Sequence, residues 1–280
     1  MARAVVAAGA GTLYVVSTPI GNLGDFSGRA VETLRVVQAV LAEDTRHSRT
    51  LLDRFGITTA LVAHHEHNEA KSTPGIVARL LAGESFALIS DAGTPLLSDP
   101  GARLVHAAIE AGVAVCPVPG ASALLAALVG SGIEAQRFTF YGFLPRKGKE
   151  RAALLGEIAR SAHTSVIYEA PARVADTLND LAAAGAGERQ AAVARELTKQ
   201  FEEFRRGTVA ALAGSYAEEA PRGEVVLVVA GAPEAVLDEE AARARAHALL
   251  AQGLSARDVV RVLMEEEQVP RNLAYRLAHE

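Results

Sequence analysis

Only one cysteine, Cys116, occurs in the 280 residues, and tryptophan is absent. A lone cysteine rules out an internal disulfide framework and any multi-cysteine zinc site. Its Val-Ala-Val-Cys-Pro-Val setting, residues 113–118, leads us to expect a buried thiol. Positive charge is not in excess: 28 Lys and Arg stand against 33 Asp and Glu, a formal net charge of -5. There is therefore no global field for gripping nucleic acid, and any RNA or DNA contact must rest on a local patch. The apolar run from Ala123 to Val129 is far too short to span a bilayer. The Ala/Val/Gly-rich first residues are broken by Gly9 and Gly11 and run straight into an apolar strand pattern, so we do not read them as a signal peptide. A soluble cytoplasmic protein is expected. No Gly-x-Gly-x-x-Gly follows the first apolar run and no Walker loop occurs, which removes the main support for dinucleotide and nucleoside triphosphate sites. There is no short-period repeat, so solenoids and propellers are set aside.

What is present is an ordinary globular composition, 50% apolar and 22% charged, long enough for two moderate cores. The chain is organised around Ser90 to Gly101. This stretch follows the apolar run Phe86, Ala87, Leu88, Ile89 and precedes Leu104, Val105, Ala108 and Ile109 at helical spacing. It is thus a loop at the carboxyl end of a buried strand, the edge of an open α/β sheet where ligands bind. Gly93 lets a ligand approach the main chain, Pro95 fixes a dihedral, and Asp91 offers a carboxylate to a ribose, an amine or a sulfonium. An ordinary strand-to-helix turn has the same composition, so this loop alone decides nothing.

Other strand ends repeat the pattern. Leu13 to Val16 ends in Ser17-Thr18-Pro19-Ile20-Gly21-Asn22-Leu23-Gly24, and Ser27 is placed to cap a helix burying Ala30, Val31, Leu34 and Val37. Ala39 to Ala42 ends in Glu43, Asp44, Thr45, Arg46 and His47, which reads either as helix-entry capping with a solvated ion pair or as a site. After Leu61 to Ala63 come three histidines and two glutamates within His64–Glu69; their spacing fits no helical zinc motif, so a polar loop over a cleft is expected and no metal. Val113 to Val118 leads to Pro119-Gly120-Ala121-Ser122, where free N–H groups at a helix start can hold a carboxylate or hydroxyl.

The pattern breaks at Gly130 to Ala135, which divides the chain into an N-terminal α/β domain (1–132), a second α/β domain (133–233) and a helical C-terminal appendix (234–280). Strands are expected at Phe138 to Phe143, Ser165 to Tyr168, Ala191 to Ala194 and Val225 to Val229. Helices are expected around Glu239 to Ala251, Ser255 to Glu266 and Asn272 to Ala278. The cations of Arg146 to Arg151 are either a solvated face or phosphate contacts, and the acidic run Glu265 to Glu267 argues against DNA binding by the last helices.

In order along the chain, Thr18-Pro19-Ile20-Gly21-Asn22-Leu23, Ala42-Glu43-Asp44-Thr45-Arg46, His65-Glu66-His67-Asn68-Glu69, Ser90-Asp91-Ala92-Gly93-Thr94-Pro95, Val118-Pro119-Gly120, Gly142-Phe143-Leu144-Pro145, Ala194-Arg195-Glu196-Leu197-Thr198-Lys199 and Gly223-Glu224-Val225-Val226-Leu227 resemble the small-subunit ribosomal RNA methyltransferases of the tetrapyrrole methylase superfamily. The resemblance runs from about Leu13 to the C-terminus. It implies two α/β domains with S-adenosyl-L-methionine in the cleft between them, a homodimer, and 2'-O-methylation of a cytidine ribose in the decoding region of 16S rRNA, with neither membrane nor DNA as partner. Carried over, it places Pro19, Gly21, Asp91, Gly93, Thr94, Pro95, Leu96, Ser122, Ala123, Tyr168, Glu169 and Gly223 around the cofactor. Ala121-Ser122 departs from the Pro-Cys of some members. A ribose hydroxyl needs a base, and Glu43, Asp44, His65, Glu196 and Lys199 are the candidates; Arg46, with Arg173, Arg195 and the 146–151 turn, would hold phosphates. Two other readings compete: methylation of a small tetrapyrrole-like molecule, and a non-catalytic RNA-associated protein.

Overall fold

A computed structural model of the chain describes residues 9–233, 239–265 and 269–280. The first eight residues and Glu266 and Glu267 of the acidic run lie outside them. The chain forms two compact units, Met1–Ala232 and Pro233–Glu280.

The first unit contains two five-stranded sheets. The first is built from β1 (Thr12–Val16), α1 (Gly28–Val36), β2 (Ala39–Ala42), α2 (Thr45–Arg54), β3 (Leu61–Ala63), α3 (Glu66–Leu81), β4 (Phe86–Ile89), α4 (Ala102–Glu110) and β5 (Ala114–Val118). Its strands are all parallel, in the order β3-β2-β4-β1-β5. Every residue of β2 and β4 is buried, as central parallel strands covered on both faces require. Val40, Ala42, Ala87 and Ile89 pack on α1 and α2 through Leu34 and Leu52; the alternate residues Leu41 and Leu88 pack on α3 and α4 through Leu80 and Leu104. Ser27 caps α1, its hydroxyl accepting the Ala30 N–H at 3.1 Å.

α5 (Ala123–Ser131) leads to the second sheet, made of β6 (Phe138–Phe143), α6 (Lys149–Arg160), β7 (Thr164–Glu169), α7 (Val174–Leu181), β8 (Gln190–Arg195), β9 (Glu203–Thr208), α8 (Val209–Ser215) and β10 (Val225–Val229). The order is β6-β7-β10-β8-β9, with only β6 and β7 parallel. One face carries α6, α7 and α8, with Ile158, Leu178 and Leu212 packed on Ile167, Val193 and Leu227. The other face carries α5: Leu124, Ala127 and Leu128 lie against Val166, Ala192, Ala194, Val226 and Val228. The helix that leaves the first sheet therefore seals the second. Gly130 permits this, because a Cβ there would run into the Phe204 ring.

In the second unit, α9 (Glu239–Ala251), α10 (Ala256–Glu265) and α11 (Arg271–Leu277) enclose a small core including Ala246, Leu249, Val259, Leu263 and Leu277. Among the described residues, no helix is long and apolar enough to cross a membrane.

The α/β class with C-terminal helices expected from the sequence is what the chain adopts. Two local expectations fail. His64–Glu69 is not a loop: α3 begins at Glu66, because the Asn68 side chain accepts the His65 N–H at 2.9 Å and donates to the Ala63 carbonyl at 3.0 Å. Cys116 is half-buried rather than buried, since β5 is the last strand of its sheet and only one of its sides is covered by β1.

Candidate active site

The loops after β1, β2, β4 and β5 are laced together at the carboxyl edge of the first sheet. Thr18 and Gly93 exchange backbone hydrogen bonds of 2.8 and 3.1 Å. The Ser17 and Thr94 hydroxyls lie 3.0 Å apart, and Thr94 donates onward to the Ala121 carbonyl at 3.1 Å. Asp91 Oδ1 accepts the Asp44 N–H at 3.2 Å. Gly93, at φ 82, makes the close turn that brings this loop under Ile20. From the second sheet, the Tyr168 hydroxyl accepts the N–H of Leu124 in the first turn of α5 at 3.2 Å. The Tyr168 ring stands edge-on to Phe140 and Phe143, at 4.8 and 5.6 Å between centroids.

Between these loops lies a cavity of about 440 Å³, a size suited to a small-molecule cofactor. Ile20, Leu97, Phe143, Tyr168, Val225 and Val226 supply its apolar wall. Asp91, Asp99, Glu169 and Glu224 line it, and no Lys, Arg or His does among the described residues. The Glu169 carboxylate is turned inward and fully engaged: Oε1 accepts the Ala170 N–H at 2.9 Å and Oε2 accepts the Thr177 hydroxyl at 2.6 Å.

Of the cofactor residues expected from sequence, Asp91, Gly93, Thr94, Ser122, Ala123, Tyr168, Glu169 and Gly223 line this one cavity. Pro19, Gly21, Pro95 and Leu96 do not line it; they flank wall residues Ile20, Thr94 and Leu97. Ile20, Leu97, Ser98, Asp99, Phe143 and Glu224 were missed. Asp99 was hidden by backbone geometry that composition does not reveal: Leu96 and Ser98 adopt φ of 75 and 69 and fold the loop back on itself. Its carboxyl is pushed up to about 6 by burial, then by the charge of Glu43, with a hydrogen bond from Ser90 partly opposing and Asp91 adding to the rise.

None of the six candidate catalytic residues lines the cavity, but the structure sorts them. Asp44 caps α2 and pairs with Arg46 at 3.1 Å; hydrogen bonds from the Arg46 side chain and backbone hold its carboxyl down at about 2, which leaves it a weak base. The Arg46 side chain is 91% exposed beyond that pair. Glu43 is raised by burial and by the neighbouring Asp91 charge. His65 stands before α3, its Nδ1 buried without a partner. Lys199 bridges Glu196 at 2.8 Å and Glu224 at 3.0 Å. Burial opposes its charge, but those hydrogen bonds prevail and keep it protonated; hydrogen bonding to Lys199 in turn lowers Glu196. Neither is poised as a base.

The cations proposed to meet phosphate divide too. Arg146, Lys147 and Lys149 are exposed. Arg151 is not available: it is 7% exposed and bonded to Asp180, Thr177 and the Pro145 carbonyl. Arg173 donates to the Leu144 and Pro145 carbonyls, and Arg195 pairs with Glu203 at 2.6 Å.

The segment carrying Glu196 and Lys199 is strained. Glu196 and Thr198 have φ of 50 and 66, and the Thr198 hydroxyl is buried without a partner. A β-branched residue is a poor occupant of that region. Thr198→Gly is expected to stabilise the fold by about 1 kcal/mol, read as a raised urea midpoint with an unchanged slope.

The fold and cavity define a class. The chain belongs to the tetrapyrrole (corrin/porphyrin) methylase family, whose model matches residues 12–213. Methyl transfer from S-adenosyl-L-methionine, expected from the sequence, is the chemistry of this family. Among curated proteins, the chain is 48% identical over 273 residues to ribosomal RNA small subunit methyltransferase I of Synechocystis sp., covering 96% of this chain and 98% of that one. It is 41% identical over 276 residues to the protein of the same name from Bacillus subtilis, covering 96% and 94%. Among solved structures, it is similar to uroporphyrin-III C-methyltransferase from Thermus thermophilus complexed with S-adenosylhomocysteine, at TM-score 0.56 and 18% identity over 79% of this chain and 97% of that one. A conserved hypothetical protein from Aeropyrum pernix K1 superposes at TM-score 0.64 and 17% identity, covering 81% and 86%.

Proposed function

We propose that this protein methylates the 2'-oxygen of a cytidine ribose in 16S rRNA of the small ribosomal subunit, using S-adenosyl-L-methionine held in the cavity between its two α/β halves. The observation that carries the cofactor half of this reading is the cavity's charge: apolar walls, carboxylates, and no lining cation among the described residues. Such a donor set suits a ligand bearing a sulfonium and an ammonium and is wrong for a phosphate-bearing one. Relatives named as small-subunit rRNA methyltransferases, aligned over nearly the whole chain, support the acceptor.

Asp91 and Glu224 would face the cationic parts of the cofactor, and Phe143, Tyr168 and the valines of β10 its adenine. The group supplies an activated methyl on sulfur. The protein's task is alignment in a dry cleft, plus removal of one proton from the ribose hydroxyl. Exposed Arg46 and the Arg146, Lys147 and Lys149 turn would hold phosphates, so binding weakens with salt. Residues 1–132 and 133–233 are read as the two domains bounding the cleft and 234–280 as an appendix, in a cytoplasmic homodimer.

Purified protein given labelled S-adenosylmethionine and small subunits should label a ribose of the RNA. Label on a base, on a tetrapyrrole instead of RNA, or nowhere would overturn the reading. Asp91→Ala, which loses both a cavity carboxylate and the clip to Asp44, should weaken cofactor binding about tenfold to a hundredfold in calorimetry.

A further inference from the structure

We propose that a nucleotide flanking the methylated one docks in a second hollow of the first unit, its base stacked on Phe201, an inference that rests on the RNA acceptor assigned above. The hollow has a volume of about 460 Å³. It lies against the reverse side of the segment that walls the cofactor cavity. Arg222 lines the hollow while its chain neighbour Gly223 lines the cavity, and Glu196, whose carboxylate lies against Gly223, lines the hollow too. A strand that delivers one ribose to the cavity therefore brings adjoining nucleotides to the hollow. Phe201 is 64% exposed there. It stands in the turn between β8 and β9, which three hydrogen bonds pin: Lys199 N–H to the Glu196 carbonyl at 3.0 Å, Glu202 N–H to the Lys199 carbonyl at 3.2 Å, and Thr198 N–H to the Glu202 carboxylate at 2.6 Å. A ring on a pinned turn offers its face to a base with little further ordering cost.

The charges of the lining decide what fits. Arg195, Arg205 and Arg222 are set against Glu196, Glu203 and Glu219, so the formal charges cancel. Glu203 holds Arg195 at 2.6 Å and Arg205 at 3.2 Å, and Lys199 engages Glu196 at 2.8 Å. The Arg205 guanidinium carbon lies 4.7 Å from the centroid of the buried Tyr216 ring, yet 43% of the Arg205 side chain stays exposed. A flat cation already laid on one ring is a second plane on which a base can stack. Arg222 and Glu219 are exposed and take part in no ion pair among the described residues. An uncharged planar heterocycle with donors and acceptors on its edge matches this set. Phe201 and Arg205 offer the planes, Glu219 accepts from an amino group, and Arg222 meets the adjoining phosphate. A strongly charged peptide would call for a lining of opposite net charge, which the hollow does not have. Unpaired RNA is recognised in this manner, by splayed bases laid on aromatic rings and guanidinium planes.

Single-turnover labelling of small subunits by the full chain, over a range of subunit and salt concentrations, tests this. Phe201→Ala should raise the half-saturating subunit concentration about fivefold or more. Its maximal rate should stay within about threefold and its S-adenosylhomocysteine affinity within about twofold, because the cofactor cavity is untouched. Its melting temperature should not change, since the ring is exposed. Phe201→Trp should keep the half-saturation of the unmutated protein. Arg222→Gln should lower the slope of log half-saturation against log salt by about one, whereas Phe201→Ala should leave that slope as it is. A rise of less than about fivefold for Phe201→Ala, or the same rise for Phe201→Trp, overturns the docking site. So does a change of sedimentation coefficient on Phe201→Ala, which would make this face an interface between copies of the chain. Failure of the unmutated protein to label ribose overturns the acceptor reading itself, and the docking site with it.

Discussion

Gly223→Ala is expected to lower affinity for S-adenosylhomocysteine about tenfold or more and to reduce methyl transfer at least as much, measured by calorimetry and by labelling of small subunits. Gly223 lines the cavity at φ 84. A Cβ there would fall on the Glu196 carboxylate. That carboxylate accepts the Glu224 N–H at 3.1 Å and the Lys199 ammonium at 2.8 Å. Glu196 has little room to retreat, because its own backbone is already held at φ 50. On the far side, Gly21 of the β1 loop lies so close to the Lys199 stem that a side chain at 21 would overlap it. Gly21, Lys199, Glu196 and Gly223 therefore form one stack that joins the cofactor loops of both sheets, and displacing Glu196 disturbs both ends of it. Lys199→Met separates the two contributions: it removes a partly exposed ion pair worth about 1 kcal/mol or less while keeping the aliphatic stem against Gly21. A Gly223→Ala protein that binds the cofactor like the unmutated one would show that the stack does not shape the cavity.

The strands could be read from the sequence because their apolar runs are short and bounded by polar knots; Val225 to Val229, buried at every residue, needed no more than that. α1 was legible through Ser27 and the spacing of Ala30, Val31 and Leu34. β9 was not, because Glu203 to Thr208 has the composition of a polar edge and packs only one aromatic, Phe204, toward the core. The start of α3 was hidden by three histidines and by Pro74 inside the helix, whose missing N–H reads as a break. α5 was seen as a helix, but its partner was not. Leu124, Ala127 and Leu128 look the same whether they cover their own sheet or the next one, and only the three-dimensional arrangement places them on the second. At the site, the glycines and Asp91 stood out as local chemistry, whereas Asp99 depends on two left-handed residues, neither of them glycine. Charge density at a strand end does not tell a free carboxylate from one already spent on a cap, like Asp44, or on an ion pair, like Glu196.

Glu169 brings this distinction to a test. Glu169→Ala is expected to destabilise the first unit by about 3 kcal/mol, a fall in melting temperature of about 6–12 °C. The Glu169 side chain is fully buried, and it ends a chain of donors: Arg151 Nη2 reaches the Thr177 hydroxyl at 3.0 Å, and that hydroxyl donates to Glu169 Oε2 at 2.6 Å. Oε1 accepts the Ala170 N–H at 2.9 Å and lies 3.5 Å from Arg173 Nε. Arg151 and Arg173 both extend to the Pro145 carbonyl, so the turn before α6 hangs from the same carboxylate that closes β7 beside the cavity. Removing it leaves the buried Thr177 hydroxyl and the half-buried Arg173 without their anion, a larger loss than that of a surface pair. Glu169→Gln keeps the shape and one acceptor and should cost about half as much. The contrast with Gly223 is the decisive part. If the Glu169 side chain itself served the cofactor, Glu169→Gln would spare the melting temperature and cut cofactor affinity. The inward-turned carboxylate predicts the reverse, a lower melting temperature with S-adenosylhomocysteine affinity of the folded protein within about threefold, because the cavity is met at this position by the wall that Glu169 supports and not by its charge.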